Sequence, residues 1–323
     1  ALLHDLDCRV RRIFGHIQTG HVEELGFALQ HARGVGRMHH VQLPLLLPHQ
    51  TQHAGQLLVV TGFGPTLNQL GQNLDRALVI TLLVIHRPQQ RQPVFLQGLI
   101  TNDITHLTDG LLYAAILTPQ GKLIADFFLM RDRDTLLLDV AEPQVDMLQK
   151  RLTMYKLRAD VQIAATDLTP SRGPGPAPEG TYPDPRHPDL GWRAYDGRPD
   201  QYADWDALRV EHMIPETGIE LVPNDSYPLE VAFERLHGVD FKKGCYVGQE
   251  VTARMKHKTE LKKGLAQVAV KGAAPIGTEI TTRDGKPAGT LFTQANGKAL
   301  AYLRFDRAKD EMTAGDATVT RLA

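Results

Sequence analysis

The chain has 323 residues, which is enough for two or three domains with a sizeable core. The formal net charge of −1 excludes a bulk electrostatic attraction to nucleic acid or to a membrane surface, so we expect no direct DNA binding. No apolar run reaches 18 residues, which predicts no membrane span, and the two distant cysteines fit a reducing compartment such as the cytoplasm.

The first part of the chain, residues 1–92, differs in composition from the rest. Residues 1–90 hold nine of the fourteen histidines but no lysine, the first lysine being Lys122. Three interpretations stay open: a histidine-rich metal region, an extra domain, or translation of an upstream or frameshifted sequence fused to the true gene. We favour the third. The histidines lack the tight spacing and cysteine partners of a metal site, so no metal ligand is predicted. We predict that residues 1–92 are dispensable.

The middle of the chain, residues 93–260, predicts an α+β unit. Its first elements are a helix at 95–103, strands at 113–117, 123–129 and 135–140, a helix at 143–152 and a strand at 160–164. The strand-like run at 77–85 precedes them, and Pro119-Gln120-Gly121 is a hairpin signal. This order of elements favours an α+β layer over a doubly wound sheet.

The second half of the chain contains a loop, further helices and a run of short strands. The proline- and glycine-dense residues 170–180 predict a loop that buries little. Helices are predicted at 204–213, 228–236 and 249–255. Glycine-separated strands are predicted at 265–270, 279–282, 289–293 and 299–303. Their spacing predicts a small antiparallel β-barrel over residues 261–323.

The most distinctive stretch surrounds Cys245. Lys242 and Lys243 precede the cysteine, and Gly244 and Gly248 lie on either side of it, which predicts a tight, exposed turn. A thiol beside ammonium groups and before a helix N-terminus is expected to have a lowered pKa. Cys245 is therefore a candidate catalytic nucleophile or soft-metal ligand. The alternative is a small, partly buried hydrophobic residue in a turn.

The string K-G-C-Y-V-G-Q-E at residues 243–250 resembles the signature of the YgfZ family. These folate-binding proteins include mitochondrial iron–sulfur maturation factors and are related to the glycine-cleavage T-protein, an aminomethyltransferase. Family-like pieces also occur, in family order, at residues 95–103, 117–122, 155–158, 184–186, 190–193 and 208–211. The resemblance covers roughly residues 94–308. It implies a T-protein-like folate-binding region over 93–260, a C-terminal β-barrel and tetrahydrofolate as the cofactor.

The resemblance also assigns cofactor-binding residues. Folate requires an apolar slot for its pterin, a carboxylate for the ring N–H groups and cations for its glutamate tail. Glu211 matches the family position suited to the pterin, with Arg193 and Arg209 as candidate partners. Asn102 is expected to border the same central cavity.

One position departs from the T-protein pattern. Within residues 121–126 the T-protein has two successive acids, the first of them catalytic, where this chain has Ala125 and Asp126. Alanine cannot transfer a proton, so aminomethyl transfer as in glycine cleavage is not expected. A one-residue shift of the alignment would restore Asp126 to that role, which keeps Asp126 a candidate folate-site residue.

Three functions follow as hypotheses. The first is a folate-dependent factor for the assembly, maturation or repair of iron–sulfur proteins, acting through Cys245 in the cytoplasm, or in the mitochondrial matrix of a eukaryote. Assembly or client proteins would be transient partners, because clusters usually need four thiolates. The second is a folate-dependent aminomethyl- or methyltransferase linked to tRNA modification. The third is a folate-binding module in which Cys245 is structural.

Overall fold

The structure, a computed structural model, describes residues 39–42, 59–62, 80–86 and 92–322, except positions 134, 157, 158, 160, 167 and 259. The chain divides into two compact units, Ala1–Ala77 and Leu78–Ala323. In the first unit, strands β1 (His39–Gln42) and β2 (Val59–Gly62) form an antiparallel pair. Most of the histidine-rich segment, with Cys8, lies outside the described residues, so the predicted dispensability of residues 1–92 stays a prediction only for the part before β3.

The second unit is built on a five-stranded antiparallel sheet. Its strands are β3 (Ile80–His86), β4 (Leu112–Leu117), β5 (Leu123–Asp132), β6 (Thr135–Ala141) and β7 (Gln162–Thr166), in the spatial order β4-β5-β6-β3-β7. The predicted hairpin joins β4 to β5, where the Gly121 amide donates to the Thr118 carbonyl at 2.8 Å. Because β3 pairs with both β6 and β7, the sheet includes a strand upstream of the predicted boundary at residue 93.

Both faces of this sheet are buried. Side chains of one face, including Ala125 and Phe127, pack against the region of helices α1 (Gln92–Gln97) and α2 (Val145–Tyr155). The opposite face, including Tyr113 and Phe128, packs against loops from the second half of the chain. Successive residues of a strand point to opposite faces, so the sheet separates Ala125 from its neighbour in sequence.

A smaller layer covers the second face of the sheet. Strands β8 (Ser171–Gly173), β9 (Tyr182–Pro183) and β10 (Trp192–Ala194) pair in the order β8-β10-β9, and helix α3 (Trp205–His212) follows. The prediction of a loop that buries little was wrong for β8, because Ser171 is buried. A Cβ at Gly173 would lie 2.2 Å from the Trp192 ring, so this strand packs closely enough to require glycine.

The helix predicted at 228–236 is also wrong. Its residues form a 3₁₀ turn, Pro228–Val231, which ends at Ala232 with a left-handed backbone (φ 65°). That conformation stops the helix and allows Phe233 and Leu236 to enter the core. The helix predicted after the cysteine is present as α4 (Gln249–Lys258).

The C-terminal strands close into a six-stranded antiparallel barrel. They are β11 (Lys263–Lys271), β12 (Glu279–Thr282), β13 (Pro287–Ala295), β14 (Lys298–Arg304), β15 (Met312–Ala314) and β16 (Ala317–Arg321). The predicted α+β class with a small C-terminal barrel is thus confirmed. Among the described residues, no helix has both the length and the apolar character needed to cross a membrane.

Candidate functional site

An arginine-rich cleft lies between the small layer and helix α3. We call it the arginine cleft, and its lining residues are Arg172, Asp184, Arg186, Leu190, Arg193, Trp205, Arg209, Pro215 and Glu216. The cavity inside it is small, at about 30 Å³. A ring system as large as a pterin therefore requires the cleft to open.

Arg186 forms a two-pronged ion pair with Asp184 on one wall of the cleft. Arg186 Nη2 donates to Asp184 Oδ2 at 2.8 Å, and Arg186 Nε donates to Oδ1 at 3.0 Å. Although burial opposes it, the Arg186 guanidinium holds the pKa of Asp184 below its usual value. The charge of Arg186 is therefore balanced within the protein, as expected for a structural ion pair.

Arg193 lines the cleft as predicted, but its charge is already paired. It is buried, Nη1 donates to Asp139 Oδ2 at 2.7 Å, and the guanidinium lies 4.1 Å from the Phe128 ring centroid. Burial works against the charge, but Asp139 raises the pKa of Arg193 above its usual value. Arg193 Nε is buried without a hydrogen-bond partner among the described residues. An unsatisfied buried donor is a group that an incoming acceptor would satisfy.

Arg172 is the least compensated cation of the cleft. Its guanidinium stacks on the Trp205 ring at 4.3 Å, and no carboxylate of the described residues lies within ion-pair distance of it. Burial, together with repulsion from Arg193, lowers the pKa of Arg172 to about 10. A partly buried cation of this kind favours the binding of an anion.

Arg209, also predicted, holds the cleft to the barrel. Its guanidinium contacts the carboxylates of Asp206 and Glu216, at 2.9 and 3.0 Å, and that of Glu220. Glu220 in turn accepts hydrogen bonds from the backbone and hydroxyl of Thr293 in β13. Arg209 is thus neutralised by acids, and its role in the structure is to fix helix α3 against the barrel.

Glu211 is not brought to the cleft. Its side chain is 55% exposed, and its carboxylate pairs with Lys298 of the barrel at 2.6 Å. Glu211 therefore lies on the solvent side of helix α3, and its predicted role at the pterin stays untested. Glu216, which follows the helix, is the acid at the cleft.

Asp126 lies on the sheet face that the small layer covers. It is buried and accepts hydrogen bonds from the Tyr113 hydroxyl, at 2.9 Å, and from the Thr217 hydroxyl. Burial raises the pKa of Asp126, although both hydroxyls oppose the shift. Ala125 faces the opposite core. The acid that this chain retains is therefore the one on the cleft side of the sheet, but it does not line the cleft itself.

Asn102 links three backbone segments by hydrogen bonds and does not line the cleft. Its amide nitrogen donates to the carbonyls of Tyr113 and His237, at 2.8 and 2.7 Å, and its amide oxygen accepts from the Asp103 backbone. These bonds occupy both amide protons, which leaves Asn102 no donor for a ligand.

Cys245 lies in an exposed turn that is packed against the β4–β5 hairpin. The Cys245 side chain is exposed and free, and α4 begins four residues later at Gln249. Gly248 has φ +85°, and a Cβ there would lie 2.6 Å from the Thr118 carbonyl oxygen. The exposed turn is confirmed, and glycine at 248 is what allows the close approach.

Lys243 was predicted to place its charge beside the thiol, but its ammonium group is turned into the protein. Its ammonium group is buried and donates to the carbonyls of Gln97, Ile100 and Asn102, at 2.8, 2.7 and 2.8 Å. Burial lowers the pKa of Lys243 to about 8. Lys243 therefore anchors the cysteine turn to the segment after α1.

The cleft residues that the sequence interpretation did not identify include Arg172, Trp205 and Glu216. Arg172 falls in the stretch read as a loop, and its position depends on the pairing of β8 with β10 across 18 intervening residues or more. The available signal was Trp205 at the start of an amphipathic helix, because a tryptophan ring is the aromatic face on which an arginine stacks best.

The fold resembles that of a solved protein. An aminomethyltransferase T of the glycine cleavage system from Bartonella henselae superposes with a TM-score of 0.60 at 13% identity, covering 75% of this chain and 82% of that one. This likeness defines a T-protein-like fold. The C-terminal β-barrel domain of CAF17 matches residues 262–322.

Sequence relatives narrow the class to a family. The mouse mitochondrial iron-sulfur cluster assembly factor IBA57 is 30% identical over 263 residues, covering 67% of this chain and 73% of the mouse protein. The IBA57 homologue of Chaetomium globosum is 35% identical over 218 residues, and that of Mycosarcoma maydis 29% over 215. The chain spans about half the length of these two fungal relatives. The chain belongs to the IBA57 family, which confirms the predicted resemblance.

Proposed function

We propose that this chain is a factor for the assembly, maturation or repair of iron–sulfur proteins, with Cys245 as its reactive or ligating group. The observation that carries the proposal is an exposed, free thiol on a turn anchored by Lys243 and Gly248, in a chain related to proteins named for iron–sulfur cluster assembly. One thiolate cannot hold a cluster by itself, so the partners are cluster-assembly or client proteins that bind transiently. The compartment is the mitochondrial matrix in a eukaryote and the cytoplasm otherwise.

The test is complementation of a deletion strain, with an iron–sulfur enzyme as the readout. Cys245→Ser keeps the size of the side chain but loses the soft thiolate, so the variant should fold and fail to restore activity. Gly244→Ala is the matched control, because a Cβ at Gly244 meets no atom within 4 Å, and it should complement fully. Full complementation by Cys245→Ser, at wild-type thermal stability, would show that the thiol carries no chemistry.

We further propose that tetrahydrofolate binds at the arginine cleft. Arg172, without a carboxylate partner among the described residues, and the unsatisfied Arg193 Nε both fit the carboxylates of its glutamate tail. Glu216 takes the part predicted for Glu211, accepting from N–H groups of the pterin. The small volume of the cleft requires its walls to separate before the ring system enters.

Calorimetry with tetrahydrofolate tests this site. Removing a hydrogen bond to a charged group costs about 1.5–3 kcal/mol, so Arg172→Gln and Glu216→Gln should each weaken binding about 10- to 150-fold. Glu211→Gln is the matched control, being five residues away on the exposed side of α3 and paired with the barrel. Equal affinities for wild type, Arg172→Gln and Glu216→Gln would exclude the cleft as the folate site.

A second candidate function is a folate-dependent aminomethyl- or methyltransferase linked to tRNA modification. The observation that favours it is Asp126, a buried carboxyl on the cleft side of the sheet whose pKa is raised by burial, as a proton-transferring group requires. Asp126→Asn distinguishes the candidates. A transferase should lose turnover while retaining folate affinity, whereas the assembly factor should still complement the deletion strain.

A further inference from the structure

Two histidines and one aspartate form a cluster on the surface beside the arginine cleft. His187 and Asp189 belong to the 3₁₀ turn around Pro188–Leu190, and His212 ends helix α3. Asp189 Oδ2 lies 2.9 Å from His212 Nε2 and 3.9 Å from His187 Nδ1. One ligand atom from each of the three residues lies within 4.8 Å of the other two.

We propose that His187, Asp189 and His212 bind one divalent transition-metal ion. Zinc lies about 2.0–2.2 Å from imidazole nitrogens and carboxylate oxygens, which sets the ligand atoms of a tetrahedral site about 3.4 Å apart. The two distances from Asp189 Oδ2, 2.9 and 3.9 Å, lie on either side of that value, so the side chains must rotate to bring the ligand atoms to it. Two imidazoles and one carboxylate suit zinc or iron(II) and leave coordination positions open.

The contacts of the cluster hold its three side chains against one another. His187 Nδ1 accepts a hydrogen bond from the Asp189 amide at 3.2 Å, and the Asp189 carboxylate pairs with His212 at 2.9 Å. The rings of His187 and His212 stack with centroids 3.9 Å apart, and both side chains are partly buried. Because a metal ion lies in the plane of each imidazole that binds it, binding requires the two rings to turn apart, and the ion then replaces the hydrogen bond and the ion pair.

A bound ion would join two walls of the arginine cleft. The turn that carries His187 also carries Leu190 and follows Arg186, and the helix that ends at His212 contains Arg209. Because Leu190, Arg186 and Arg209 line the cleft, a metal bridge across the turn and the helix would restrict the separation of these walls.

Equilibrium dialysis of the full chain against ZnCl₂ tests the proposal. Residues 1–90 contain nine further histidines, so the readout is the difference in bound zinc between variants. His212→Ala and Asp189→Asn should each bind one zinc fewer than wild type. Binding of Co²⁺ in place of zinc should give a visible absorption band that both variants lose.

His106→Ala is the matched control. His106 lies beside Asp103 and Asp240 in a second cluster, which offers one imidazole instead of two. This variant should retain the wild-type zinc content and cobalt band. Equal zinc content in wild type and both test variants would overturn the proposal, as would an equal loss in His106→Ala. Melting temperatures in EDTA identify a variant that fails to fold, and Asp189→Asn, exposed at the surface, then decides the outcome.

Discussion

Replacing Gly248 by alanine tests how the cysteine turn is held. Gly248 has φ +85°, and its missing Cβ would lie 2.6 Å from the Thr118 oxygen and 2.9 Å from Leu117 Cβ. The left-handed backbone costs an L-residue about 1–2 kcal/mol, and overpacking of a tight contact costs about 1–3 kcal/mol more. Gly248→Ala should therefore lower the free energy of unfolding by about 2–5 kcal/mol.

Thermal and urea denaturation measure this loss. For a unit of 150–250 residues, 1 kcal/mol corresponds to about 2–4 °C, so the melting temperature should fall by about 4–20 °C. Gly244→Ala is the control on the other side of the cysteine, because it lacks a left-handed backbone and has open space at its Cβ. That substitution should change stability by less than about 1 kcal/mol. Equal shifts in melting temperature for the two variants would refute the proposal that close packing of Gly248 against the hairpin holds the cysteine turn.

Three further predictions concern single side chains. Asp184→Asn should cost about 3–5 kcal/mol at pH 7, because it leaves the Arg186 charge unpaired. Because the pKa of Asp184 is lowered in the folded state, its contribution to stability is present above about pH 4 and is lost on acidification. Between pH 5 and 2, the free energy of unfolding measured in urea should therefore fall less for the variant than for wild type. Iodoacetamide at neutral pH should label Cys245 faster than Cys8, measured by peptide mass spectrometry, because the Cys245 side chain is exposed on its turn, and equal rates would contradict a specially accessible thiol. Glu211→Gln should leave the urea denaturation curve unchanged within error, as expected for an exposed ion pair, and a clear loss of stability would contradict its exposed position.

The sequence pattern correctly predicted those strands and turns whose conformation is set mainly by their own residues. The β4–β5 hairpin follows from β-rich runs around a proline–glycine turn, and the barrel strands follow from short runs separated by glycines. The predicted helix at 228–236 failed because a single residue, Ala232, adopts a left-handed backbone that composition does not reveal. Tertiary packing of Phe233 and Leu236 decides that conformation.

The candidate site was predictable only in part, because it is assembled from residues far apart in sequence. The family resemblance named Arg193 and Arg209 as folate-site residues; both line the cleft, and their role in binding stays a prediction. It placed the carboxylate at Glu211, where the amphipathic pattern of α3 does not distinguish the cleft side from the barrel side. Glu216 lies beyond the helix, and its position depends on the ion pair with Arg209.

The same hairpin supports both candidate sites, which limits how their variants can be interpreted. Strand β5 presents Asp126 and Phe128 on the face that packs beneath the cleft arginines, and the turn at its start contacts Gly248 in the cysteine turn. Protein interiors are close-packed and transmit strain, so a substitution in the hairpin acts on both sites. Loss of complementation therefore assigns chemistry to Cys245 only when the same variant still binds folate with wild-type affinity. A variant that loses both functions reports on the hairpin and not on the thiol.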